Sequence, residues 1–279
     1  MKFAIVQPFY SINYKDADKC FESLMNILDS INEDFDAIVL PEYSDVPAYP
    51  KNRQEFVDEI NKYHPLLGKK VKEIIKKHNA IVFVNCVDYI DGNYRNTTFT
   101  YNKSGNIVGK YYKRHLAPSE YKSVEDGGKN IDYSYKTTDF KPYVLEIDGI
   151  KYGFLTCYDF YFYEDYIEIA KENVDCIIGC SHQRSDSHES LSIINKFLSY
   201  NTNSYLIRSS VSMGEESKTG GCSMVVNPKG EIIANMYNRV GYMIVDINPK
   251  NKYYKTAGFM GKVKSHHEYV DEGREYLKK

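Results

Sequence analysis

The chain has 279 residues, 42% hydrophobic and 27% charged, the balance of a folded globular protein and not of a disordered or collagen-like one. Its 36 basic and 38 acidic residues leave a net charge of -2, so no cationic excess exists to neutralise nucleic-acid phosphates. No apolar run approaches the ~18 residues of a membrane span, and the opening run Phe3-Ala4-Ile5-Val6 stops at Gln7-Pro8, too short for a signal peptide's apolar region.

Residues 3–6 read as a first strand, and Phe21, Leu24, Leu28 and Ile31 place a helix over 16–31. Residues 37–40 form a short apolar strand stopped by Pro41, Pro65 opens a second helix, and 80–87 is a third strand. The turn dipeptides Asp91-Gly92 and Ser104-Gly105 separate strand-like runs at 94–101 and 106–112, a meander. Residues 114–141 are polar and without period, and loops of that length in compact domains are often functional.

Strand and helix units then return: strands at 143–147 and 151–156, a helix over 160–172, a strand at 175–179, a helix over 189–202 and a strand at 205–210. A second meander covers 222–246, with a turn at Asn227-Pro228-Lys229-Gly230. The order predicts mixed sheets with helices on their faces, in one domain over 1–279. The polar tail 248–279 carries Tyr253, Tyr254, Tyr269, Arg274 and Tyr276, residue types favoured at interfaces, and is expected to serve oligomer contacts. The six cysteines form no dense pairing framework, as expected of reduced thiols in a cytoplasmic protein. Tyrosine is unusually common, 27 against 13 Phe and no Trp, which favours a Tyr-rich pocket or interface.

Three positions at strand ends suggest chemistry. Cys157, in Gly153-Phe154-Leu155-Thr156-Cys157-Tyr158-Asp159, lies between a strand and a helix start, where a thiol can be activated. Cys20, Cys86, Cys176 and Cys180 lie inside periodic runs and read as core. Glu42 follows Val39-Leu40-Pro41, where open α/β sheets place ligand sites, and partial burial would suit it to general-base work. Lys113 ends a strand, and its ammonium could steady a thiolate and then an oxyanion. Each alone reads equally as an ordinary core thiol, loop carboxylate or surface lysine.

Pro41-Glu42, Lys113-x-His115-Leu116 and Cys157-Tyr158-Asp159 occur in that order, and together they resemble the nitrilase superfamily of carbon–nitrogen hydrolases, in its amidase-like branch. Gly220-Gly221-Cys222-Ser223-Met224-Val225-Val226-Asn227-Pro228-Lys229-Gly230 and Asn173-Val174-Asp175-Cys176-Ile177-Ile178 extend the resemblance over about residues 2–246. It implies a four-layer α-β-β-α sandwich, usually in homodimers or larger homo-oligomers, and a catalytic set of Glu42, Lys113 and Cys157. It also implies a second glutamate after the lysine, matched by Glu120 with Glu125 as fallback. The sequence departs from the common pattern after the nucleophile, where Tyr161 replaces Arg and Tyr163 replaces Pro.

The implied reaction is cleavage of a non-peptide C–N bond of a small linear amide through a thioester on Cys157, without metal or organic cofactor. Glu42 would be the base, and Lys113 with the Tyr158 N–H would bind the oxyanion. N-carbamoyl amide hydrolysis and nitrile hydrolysis are alternatives within the superfamily, and a non-catalytic binding module of the same fold is the alternative outside it. A Cys–His hydrolase using His115 or His182 is another. His182, His188 and Glu189, and likewise His266-His267-Glu268, lack zinc-site spacing. Residues after the nucleophile and at the next strand end should line the pocket: Tyr158, Phe160, Tyr161, His182 and Arg184. With Arg184 as its only cation, that pocket favours a neutral acyl group, with a carboxylate on Arg184 as the alternative.

Overall fold

The computed structural model describes residues 1–126, 128–132 and 142–276, without the Tyr276 side chain. Residues 127, 133–141 and 277–279, and the tail contribution of Tyr276, therefore lie outside the described residues. The first half runs β1 (Lys2–Gln7), α1 (Ala17–Ser30), β2 (Ala37–Val39), α2 (Arg53–His78), β3 (Ile81–Ile90), β4 (Asn93–Tyr101), β5 (Ile107–Tyr112) and a one-turn α3 (Pro118–Tyr121). The second runs β6 (Val144–Ile147), β7 (Ile150–Thr156), α4 (Tyr163–Lys171), β8 (Cys176–Cys180), α5 (His188–Thr202), β9 (Tyr205–Ser209), β10 (Met224–Val226), β11 (Ile232–Asn235) and β12 (Gly241–Asp246). A hairpin, β13 (Tyr254–Thr256) and β14 (Val263–Ser265), and α6 (His266–Tyr276) close the chain.

Two six-stranded sheets carry the fold, in the orders β12-β1-β2-β3-β4-β5 and β11-β10-β9-β8-β7-β6. Three parallel strands form the centre of each, with antiparallel strands outside. Successive side chains of a strand face opposite ways, and here both faces are covered. Ala4 and Val6 of β1 pack on α1 and α2, beside Leu24, Leu28, Leu67 and Val71. Phe3 and Ile5 pack inward against the second sheet, with Phe83, Tyr152, Phe154 and Ile178. The outer face of the second sheet, with Ile177 and Leu206, meets Ile169 of α4 and Leu191 and Leu198 of α5. This is the α-β-β-α sandwich, and burial on both faces explains why its central strands are near-continuous apolar runs.

Three sequence expectations need correction. Pro65 does not open a helix but lies inside α2, which starts at Arg53 with the Asn52 side chain accepting from Glu55 N at 2.9 Å. Phe56, Ile60, Tyr63, Leu67, Val71 and Ile74 keep one buried face running through the proline, so tertiary burial outweighs its cost of ~3 kcal/mol. The helix over 160–172 is split: a 3-10 turn covers Cys157–Tyr161 and α4 begins only at Tyr163. The stretch 222–246 is not one meander, because β12 leaves the second sheet and pairs antiparallel with β1.

The tail lies against its own second half. Lys250 and Lys252 reach Asp175, His266 N donates to Tyr253 O, and the His266 ring packs 4.4 Å from that of Tyr200. Among the described residues no helix is long and apolar enough to cross a membrane.

Candidate active site

Glu42 follows β2 by two residues and is 1% exposed. Tyr43 beside it has φ 52, a left-handed conformation that bulky residues seldom adopt and that costs ~1–3 kcal/mol. Asn85 of β3 holds that turn, its Oδ1 accepting from Tyr43 N at 2.8 Å and its backbone O from Ser44 N at 2.9 Å.

Lys113 follows β5 directly, its N–H donating to Asn96 O of β4 at 2.9 Å. Its Nζ donates to Glu42 Oε1 at 2.7 Å and to Glu120 Oε2 at 2.6 Å. Asn96 Nδ2 donates to the same Glu42 Oε1 and to Glu120 Oε1, both at 2.8 Å, while its Oδ1 accepts from Asn85 Nδ2 at 2.8 Å. Glu120 also accepts from Tyr43 OH at 2.6 Å and from Ala117 N at 2.7 Å. Burial opposes the charge on Lys113, but Glu120 and Glu42 outweigh it and hold its pKa well above the ordinary value. Burial likewise opposes the charge on Glu120, and Lys113 outweighs it, so its pKa is lowered. Buried charges persist only when paired and hydrogen-bonded in this way. Glu125, by contrast, is exposed.

Cys157 follows β7 directly, at φ 48, and opens the 3-10 turn. Asp159 fastens this turn to the lysine strand. Its Oδ2 accepts from Thr156 N and from Tyr111 OH, both at 2.8 Å, and its Oδ1 accepts from His115 N at 2.7 Å. Burial raises the Asp159 pKa to about 6. Burial and then the Glu42 carboxylate push the Cys157 thiol up, and Lys113 and the His182 backbone only partly offset them. This environment favours the thiol over the thiolate.

Glu42, Lys113, Glu120 and Cys157 open on one cavity of about 80 Å³, whose walls include Tyr10, Tyr43, Tyr49, Lys129, His182 and Arg184. Of the five side chains expected to line the pocket, His182 and Arg184 are there. Phe160 is not. It is 1% exposed and belongs to the core behind the second sheet. The 3-10 turn carries it under Gly179, where an added Cβ would lie 2.7 Å from its ring. Tyr158 and Tyr161 are outside the walls of this cavity. They meet edge to face at 5.6 Å, and Tyr161 OH donates to Asp186.

Both candidate histidines have other partners. His115 Nε2 is 3.0 Å from Asp165 Oδ2, and its ring stacks on Phe162. His182 meets Tyr10 edge-on at 4.7 Å, and burial, with Arg184, Lys113 and Lys129 nearby, drives its pKa far down. The suspected histidine clusters disperse: His188 pairs with Asn238, and His267 with Ala170 O and Asp271. Two other groups, Asp45-His64-Cys86 and His115-Asp159-Asp165, bring three ligand-type atoms within 4.8 Å of one another. Their carboxylates already take backbone N–H groups of Val87, Thr156 and His115, or pair with the Arg114 guanidinium and the His115 ring.

Sequence reasoning missed Asn96, Tyr43, Tyr10, Tyr49 and Lys129. A buried Asn-Thr-Thr run in β4, Asn96 to Thr98, is the one sequence signal for part of this set, since polar side chains inside a covered strand need partners.

Comparison with known proteins gives the family and the fold. A family model described as carbon-nitrogen hydrolase matches residues 2–252. A "Hydrolase in agr operon" of Staphylococcus aureus is 24% identical over 226 residues, 78% of this chain and 80% of that protein. Its Staphylococcus lugdunensis counterpart is 26% identical over 144 residues, 50% of this chain and only 57% of that protein. A mutant of the Nesterenkonia AN1 amidase from the nitrilase superfamily superposes with a TM-score of 0.65 at 14% identity, over 100% of this chain and 95% of its own. The amidase has also been solved with the acetamide moiety of fluoroacetamide covalently added at its active-site cysteine.

Proposed function

Because the chain belongs to the carbon–nitrogen hydrolase family, we propose that it hydrolyses a non-peptide C–N bond of a small linear amide through a thioester on Cys157. The observation that carries this reading is the meeting of a buried Glu42–Lys113–Glu120 cluster and the Cys157 thiol at one small cavity. The covalent adduct on the cysteine of the amidase with the same fold supports it.

Since the surroundings of Cys157 favour its thiol form, attack calls for a base. Glu42 takes the proton as Sγ adds to the carbonyl carbon. The oxyanion is received by the Lys113 ammonium and the Tyr158 N–H. The C–N bond breaks, and the leaving amine carries off the proton that Glu42 holds. Water then attacks the thioester, Glu42 taking its proton. The C–S bond breaks, the proton returns to sulfur, and the carboxylic acid leaves. Glu120 is a positioning residue, holding Lys113 and Asn96 in place.

The test is intact-protein mass spectrometry during turnover of a panel of small amides. Wild type is expected to gain the mass of the acyl group, on Cys157, and Cys157→Ala to gain nothing and turn nothing over. Turnover by Cys157→Ala would overturn the thioester route, and substantial turnover by Glu42→Gln would overturn the base assignment.

A further inference from the structure

The cavity wall away from Lys113 holds two more cations. The Arg184 guanidinium lies 5.0 Å from the ring centroids of both Tyr10 and Tyr49, and its Nη1 donates to Tyr10 OH at 3.2 Å. Lys129 Nζ lies 5.3 Å from the Tyr49 ring, and its one hydrogen bond among the described residues, to Ser119 O, is long at 3.5 Å. Lys129 is 9% exposed, and burial pulls its pKa down. Among the described residues neither cation meets a carboxylate within 4.0 Å.

The backbone of Lys129 is built in. Its N–H donates to Ser119 O at 3.2 Å and Arg53 Nη1 donates to its carbonyl. Gly128 before it passes so close to Lys122 that an added Cβ would lie 2.1 Å from the Lys122 carbonyl oxygen. Arg184 follows a loop held from behind by the fully buried Arg208, whose Nη2 donates to Ser181 Oγ at 3.0 Å and Gln183 Oε1 at 3.3 Å.

The charges do not balance. Glu42 and Glu120, the carboxylates of the cavity wall, are both bound to Lys113. Because one ammonium serves two carboxylates, one negative charge is left over, and among the described residues Arg184 and Lys129 face the cavity with a formal surplus of one positive charge, an arrangement costly in a desolvated site until an anion arrives. Tyr10 and Tyr49 supply ring faces that tolerate the cations meanwhile. We propose that Arg184 and Lys129 form an anion subsite, so that the preferred substrate is a short amide that also carries a carboxylate. This rests on the thioester reading of the same cavity. It takes up the alternative of a carboxylate on Arg184 and adds Lys129 to it.

The test measures binding apart from chemistry. Cys157→Ala protein is titrated calorimetrically with succinamate, N-acetylglycine and butyramide at millimolar concentrations. Succinamate or N-acetylglycine is expected to bind at least tenfold tighter than butyramide, the better of the two showing whether the carboxylate belongs on the acyl or the amine side. Arg184→Met and Lys129→Met, each added to Cys157→Ala and checked for folding by circular dichroism, should each cut that ratio at least threefold. Butyramide binding as tightly, no measurable binding of either anion, or a ratio unmoved in every folded variant overturns the subsite. Acylation of wild-type Cys157 is read separately. Acylation without anion preference sinks only the subsite, and anion preference without acylation by any amide sinks the thioester reading.

Discussion

The two halves of the molecule repeat one plan and use it differently. β1-α1-β2-α2-β3-β4-β5 and β7-α4-β8-α5-β9-β10-β11 each give three parallel strands followed by two antiparallel ones. The first half contributes Glu42, Asn96, Lys113 and Glu120, every one held by at least two short hydrogen bonds. The second contributes Cys157, His182 and Arg184; among the described residues Cys157 has a hydrogen bond to the His182 backbone, and Arg184 has a tyrosine hydroxyl and two rings. One half is satisfied before any ligand binds, and the other is open to receive one. Full-strength electrostatic groups must be fixed in advance to act without reorganisation, whereas groups that bond to substrate must be left free to do so.

This contrast separates the variants by stability as well as activity. Cys157→Ala and Lys113→Met are both expected to abolish turnover, but only the second should damage the fold. Removing Lys113 leaves Glu42 and Glu120 buried at 2.8 Å from one shared amide, and breaking a buried pair of this kind costs ~3–5 kcal/mol. Cys157→Ala should cost under ~1 kcal/mol. Urea unfolding of both proteins checks this, and equal losses would break the distinction between the halves.

Asn96 gives a finer test inside the first half. Asn96→Leu removes two hydrogen bonds to carboxylates, and charged hydrogen bonds are each worth ~1.5–3 kcal/mol, so a loss of about 3 kcal/mol is expected. As a positioning residue it should lower kcat more than it raises KM. Asn96→Asp should do worse than Leu at neutral pH and recover in part as pH falls and the third carboxyl protonates. A KM effect alone would place Asn96 in substrate binding instead.

The legible and illegible parts of the sequence follow the same division. Glu42, Lys113 and Cys157 are visible because each ends a strand, and a strand end has a strong local signature. The pairing of Glu120 with Lys113 comes from the family resemblance and agrees in position with the buried contact. Lys129 is invisible because it lies in a segment without period, where nothing in the chain tells which side chain turns inward. Phe160 misleads because a helix through 160–172 would leave it beside the nucleophile, while the 3-10 turn buries it three residues on. Pro65 misleads because local propensity is read before tertiary burial, and in α2 the continuous apolar face prevails. Patterns report elements, and the pocket wall is made by loops.

Glu59 is the exception in the first half, and it gives the smallest and most specific effect. It lies on the buried face of α2 at 2% exposure, and neither of its oxygens has a well-formed hydrogen bond. Burial raises its pKa to about 9, the backbone of Ala48 easing the charge only in part. The sign follows from which state ionises first. The unfolded chain releases this proton near ~4.3, and the folded one holds it to about 9. Between those values the native state binds more protons, so the contribution of Glu59 to stability falls as pH rises, by at most ~1.4 kcal/mol per unit. Glu59→Gln removes the titration from both states. The stability of the variant minus that of wild type should therefore widen by about 2.7 kcal/mol between pH 6 and pH 8, read from urea unfolding at the two values. A difference independent of pH would show Glu59 ionised in the fold and paired like its neighbours, and the first half would then have no exception.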